Sequence, residues 1–144
     1  MKPLPKSDQA LVLRTDFSDD TAWQTVRAAI EAPVREPRAT IDFFAYVTFI
    51  DDPSYRELDT AQIPSLFGPE SNQSFVIVVD RTTIAHPDHP VLILDLFDPA
   101  GRTFRALPTA VQAIENNLSI ANMDFEEFAD AVDQDGVFRG FPPV

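Results

Sequence analysis

The sequence predicts an α+β fold: a single domain built on a mixed β-sheet of about five strands with covering helices. Three observations carry this. Short runs rich in β-branched and aromatic residues alternate with stretches of helical period. Two of those runs, residues 41–50 (IDFFAYVTFI) and 74–79 (SFVIVV), are apolar on both faces, as strands covered on each side must be. A strong turn signal, Asp98-Pro99-Ala100-Gly101, folds one further run back as a hairpin. At 144 residues the chain is the size of one domain, large enough to bury roughly two-thirds of its unfolded surface.

The elements follow in order. Residues 10–15 (ALVLRT) form a strand that stops at Asp16-Phe17-Ser18-Asp19-Asp20, where small polar residues favour a turn and a helix cap. From 21 to 31, Ala22, Trp23, Val26, Ala29 and Ile30 recur at three and four, marking one buried helical stripe that Pro33 ends. Residues 33–40, with Pro33, Arg35, Pro37 and Arg38, read as an exposed connector. The doubly apolar run 41–50 is expected in the middle of the sheet. Pro64 limits residues 55–67 to a short irregular helix.

The strand 74–79 ends at Asp80, and residues 91–97 (VLILDLF) form the next after ten further residues. Residues 103–107 then return as its antiparallel partner. Two helical stretches close the chain, 108–118 and 124–133, the second with Phe125, Phe128, Ala129 and Val132 on one face. Asp124 and Glu127 have capping-box spacing, and Gly136 suits a helix stop before an apolar Val137-Phe138 tail that docks on the body. The domain spans 1–144, with a flexible end at 1–8. The amino-terminal part is expected to be partly parallel and the carboxyl-terminal part a hairpin plus two helices.

Composition narrows the chemistry. With no cysteine there is no disulfide, thiolate nucleophile or Cys-ligated zinc. Seven serines include no G-x-S-x-G elbow, and four glycines form neither a phosphate-cradling loop nor a dinucleotide fingerprint. No cofactor is expected. The first residues carry two prolines and no apolar run, so neither an export signal nor a membrane span is read there and a cytoplasmic address is expected. The net charge of −12 repels phosphate backbones and anionic membranes within a Debye length of ~8 Å, and fits a partner with a basic protein surface.

Acids stand at three strand ends: Asp16, the pair Asp51 and Asp52, and Asp80. If the three strands run parallel, their carboxyl ends share one edge, where open α/β sheets place ligands, and converging carboxylates would suit Mg²⁺. The same residues also fit a plain turn-and-cap role, because Asp favours both. His86 and His89 flank Asp88 in a proline-bounded loop, a weaker metal or acid–base candidate. Asp133-Gln134-Asp135-Gly136 looks like part of a calcium loop, but Ala131 and Pro142 fall where ligands are required. The third candidate is a partner-binding surface: Asp124, Glu126, Glu127, Asp130, Asp133 and Asp135 lie within twelve residues that hold no Lys or Arg. Like charges at helical spacing cost a few tenths of a kcal/mol per pair, which a basic partner would offset.

The segments LVLRTDFSDDTAW, VTFIDDPSY, VIVVDRTT and ENNLSIANMDFEEFADAVDQDGVFRGF resemble an uncharacterised family of small acidic actinobacterial proteins, a domain of unknown function. The resemblance implies fold integrity and cytoplasmic origin, and assigns no catalytic residue. Nine arginines against two lysines are compatible with a GC-rich genome. Two functions are expected to compete. The first is a non-enzymatic acidic protein-interaction module, of inhibitor or immunity type. The second is a Mg²⁺-dependent enzyme acting on a phosphorylated small molecule through the strand-end acids.

Overall fold

The structure is a computed structural model that describes residues 2–35, 40–97 and 101–141. Its elements are β1 (Ala10–Arg14), α1 (Asp20–Glu31), β2 (Val47–Ile50), β3 (Phe75–Val79), α2 (Arg81–Ala85), β4 (Val91–Asp95), β5 (Thr103–Ala106), α3 (Val111–Ser119), α4 (Phe125–Ala129) and β6 (Val137–Phe138). Short 3-10 turns occupy Pro53–Tyr55, Ile63–Leu66 and Pro108–Ala110. The α+β class and the mixed sheet expected from the sequence are both present, with six strands rather than five.

The sheet runs β2-β1-β3-β4-β5-β6. Strand β1 lies parallel to both β2 and β3, β4 is antiparallel to its neighbours β3 and β5, and β6 is parallel to β5. Among the described residues, then, β4 runs against the other five strands, whose carboxyl ends share one edge.

Side chains alternate between two apolar layers, as the strand period of two requires. On one face Val12, Ile77, Ile93 and Phe104 pack against Trp23, Val26 and Ile30 of α1, Ile114 of α3 and Phe128 of α4. On the other, Leu11, Leu13, Val76, Val78 and Leu92 pack against Tyr55, Ile63, Leu66 and Leu4. Helix α1 starts where the sequence places it, with the Asp19 carboxylate accepting from the Ala22 N–H. It stops at Ala32, before Pro33.

Four expectations need correction. The run 41–50 is not a central strand: only Val47–Ile50 are strand, at the sheet's edge, while Ile41 and Tyr46 are each 61% exposed and Phe44 is 44% exposed. Apolarity on both faces reports burial of a strand only when other elements cover it, and here Phe43 bridges Val34 while the backbones of Phe44 and Tyr46 bond to α3. The stretch after Asp80 is a helix, α2, because Asp80 and Thr83 form a capping box that starts a turn the apolar pattern does not show. The last helix ends at Ala129, short of Asp133, since the chain must turn at Gly136 (φ +78°) for Val137 and Phe138 to pair with β5. Residues 2–8 are tied down: Leu4 is buried and donates its N–H to Leu66 O, and the Tyr55 hydroxyl donates to Pro3 O. The Asp98-Pro99-Ala100 turn and connector residues 36–39 lie outside the described residues, but the β4–β5 antiparallel pair is present.

Candidate functional site

The common carboxyl edge of the strands gathers the acids picked from the sequence, and it gathers arginines between them. Arg14, the last residue of β1, has a side chain only 4% exposed. Its Nη1 meets Asp51 Oδ1 at 3.1 Å, its Nη2 meets Asp20 Oδ1 at 2.6 Å, and its Nε donates to Asp16 O at 3.1 Å. The guanidinium lies 4.3 Å from the Phe17 ring centroid and 5.0 Å from that of Trp23, so it is stacked as well as paired.

The other acids are also engaged. Asp16 accepts from the Ser18 N–H and hydroxyl. Asp52 caps the 3-10 turn after β2, accepting from the Ser54 N–H at 3.0 Å and from Lys2 Nζ at 2.7 Å. The Lys2 ammonium and the Ser54 donors hold the Asp52 carboxyl at about 2. Asp80 takes Arg105 Nη1 and Nη2 on its two oxygens and the Thr83 N–H and hydroxyl on Oδ1. Burial pushes its carboxyl up, but the Arg105 and Thr83 donors outweigh this and hold it below the usual carboxylate range.

Asp51 and Asp80 end strands on either side of β1, two strand spacings or ~10 Å apart. Among the described residues, no three His, Cys, Asp or Glu side chains group so as to hold a metal ion. Asp16, Asp51, Asp52 and Asp80 thus share an edge without sharing a centre. The edge interleaves carboxylates with guanidiniums, an arrangement that stiffens loops and caps helices.

His86 and His89 sit between α2 and β4. The Asp88 N–H donates to His86 Nδ1 at 3.0 Å, and His89 Nδ1 donates to Thr83 O at 2.9 Å with its backbone in the left-handed region (φ +50°). His89 borders an open cleft of about 380 Å³ with Thr25, Ala29, Leu107 and Arg139.

The carboxyl-terminal acids stand on and beyond α4. Asp124 and Glu127 form the expected capping box, with the Asp124 N–H donating to Glu127 Oε2 at 2.8 Å. Arg102 reaches Glu126 at 3.0 Å and Asp130 at 4.0 Å. Arg139 spans Asp133 at 2.8 Å and Asp135 at 2.6 Å, and holds the Asp135 carboxyl at about 2. Even so, Glu126 and Asp130 keep 72% and 79% of their side-chain surface in water.

Sequence reasoning missed the four arginines, 14, 102, 105 and 139. Two signals were available. Arg14 is a charge at the end of an otherwise apolar strand, and Arg105 lies mid-strand between Phe104 and Ala106. Either position requires a carboxylate partner once buried.

Fold and edge define a class: a single-sheet α+β domain in which arginines clamp two of the strand-end acids, Asp51 and Asp80. The chain belongs to the family described as Domain of unknown function (DUF6924), whose model matches residues 9–141. No curated protein and no solved structure matches it. Among the described residues no helix is long and apolar enough to cross a membrane.

Proposed function

We propose that the protein is a non-enzymatic, cytoplasmic protein-interaction module of inhibitor or immunity type, which presents ordered acids to a basic protein surface. One observation carries this reading. Arg102 holds Glu126 and Asp130, and Arg139 holds Asp133 and Asp135, yet all four acids remain more than half exposed. Side chains ordered before binding lose less entropy when a partner arrives, and a net charge of −12 steers basic partners toward them. An actinobacterial origin is part of the same proposal, and nine arginines against two lysines are compatible with the GC-rich genome it implies. The alternative, a Mg²⁺-dependent enzyme using Asp16, Asp51, Asp52 and Asp80, draws support from their shared edge, but guanidiniums occupy Asp51 and Asp80 where a cation would have to bind.

Affinity capture from native lysate at low and high salt, followed by titration of the captured protein, tests the reading. A basic partner released by salt, and weakened about tenfold by Glu126→Lys with Asp130→Lys, is expected. Glu127 is left intact in this test because its carboxylate caps α4. Capture of nothing salt-sensitive, or full binding by the doubly reversed variant, overturns it.

A further inference from the structure

Strand β2 is an open edge of a kind that folded proteins usually protect. It ends the sheet beyond β1, and among the described residues no hydrogen bond reaches its outward backbone groups. Edges are ordinarily blunted by Lys, Pro, bulges or extreme shortness. Residues 43–50 hold no charged side chain and no proline. Phe44 and Tyr46, leading into the strand, are exposed. This approach is also held firm, because the buried Glu115 carboxylate accepts from the Tyr46 N–H at 2.7 Å and Asn116 Nδ2 donates to Phe44 O at 3.1 Å. The opposite edge, β6, is two residues long.

Charge selects the occupant. The uncharged edge runs straight into Asp51, and Asp20 shares the Arg14 guanidinium with it, their side chains 39% and 86% exposed. Two copies of a chain carrying −12 would meet like charge at this end. A basic chain would meet complementary charge. We infer that the outer edge of β2 is a docking strand that accepts an extended apolar segment of a basic partner protein as a seventh strand, with a partner Lys or Arg set against Oδ2 of Asp51 and of Asp20, since Arg14 bonds only the Oδ1 atoms. The inference rests on the reading of a basic partner and names a second place where that partner is held.

Amide NMR of the full chain, titrated with a short synthetic peptide alternating valine and lysine, tests it. Shifts and slowed hydrogen exchange at residues 44–51 are expected, persisting at salt that abolishes shifts around the exposed acids 126–135, with affinity at 44–51 about tenfold lower for Tyr46→Lys. Unchanged shifts elsewhere confirm that the variant is folded. A peptide alternating valine and glutamate should produce none of this. Absence of shifts at 44–51 at millimolar peptide, or equal shifts with the glutamate peptide, overturns the proposal. So does a doubled mass by light scattering without peptide, which would assign the edge to a second copy. If a captured partner is lost with Glu126→Lys and Asp130→Lys but kept with Tyr46→Lys, the interaction reading stands and the docking strand falls.

Discussion

Arg105 holds Asp80 through two parallel contacts, Nη2 to Oδ2 at 2.7 Å and Nη1 to Oδ1 at 2.9 Å, with each side chain about three-quarters buried. This pair ties β5 to the start of α2 across the first residue before β4, since Nη1 also donates to Pro90 O. Removing one partner leaves the other charged and largely dry. Arg105→Met is expected to cost roughly 2–3 kcal/mol, somewhat below a fully buried pair because water still reaches both groups. Asp80→Asn in the same chain should recover part of that loss. Urea denaturation of the two single variants and the double variant measures the coupling.

Acid should weaken the fold in a defined window. Asp52 and Asp135 are each held at about 2 and Asp80 lies below its usual value, so all three bind protons less readily folded than unfolded. Their stabilisation is complete above the unfolded carboxylate value of ~3.9 and is lost as pH falls from there toward about 2. Carboxyl carbon NMR should place the Asp135 midpoint at about 2. Arg139→Gln should return it to the ordinary range, because Arg139 is its largest stabilising contact.

Glu115 is buried on α3, where its Oε1 accepts from the Tyr46 and Asn116 N–H groups and its Oε2 from the Ser119 hydroxyl. Glu115→Ala should cost about 2 kcal/mol by stranding these donors, and should speed hydrogen exchange at Tyr46. Glu115→Gln keeps an acceptor and should cost less than about 1 kcal/mol.

Arg14→Met should cost about 3 kcal/mol, since Asp51 and Asp20 lose their shared cation and Phe17 and Trp23 lose its stacking. Trp23 is the chain's one tryptophan and is fully buried, so its fluorescence should report the change directly. An unaltered emission spectrum with unaltered stability would refute the stacking role.

Several elements were legible because their signals are local. Asp19 caps α1, the 3.6-residue recurrence from Ala22 to Ile30 marks its buried face, and Asp124 with Glu127 caps α4, all within a few residues of one another. β3, β4 and their apolar character were equally plain. Helix α2 was hidden because five residues, RTTIA, are too few to show a period, and its start depends on the Asp80–Thr83 exchange.

By itself the sequence determined the apolar strand runs, the caps of α1 and α4, the acids at three strand ends and the overall charge, since each depends on residue type and near neighbours. Tertiary structure decided where β2 lies and what the acids do. Strand order is set by which surfaces can be covered together, and it left Val47–Ile50 at an edge although the composition of the run suits a centre. The same packing brought Arg14 to Asp51, Arg105 to Asp80 and Arg102 to Glu126, whereas Arg139 reaches Asp135 only four residues away. Long-range ion pairs form only when the backbone brings distant residues within reach, so the acids were visible from the start and their arginines were not.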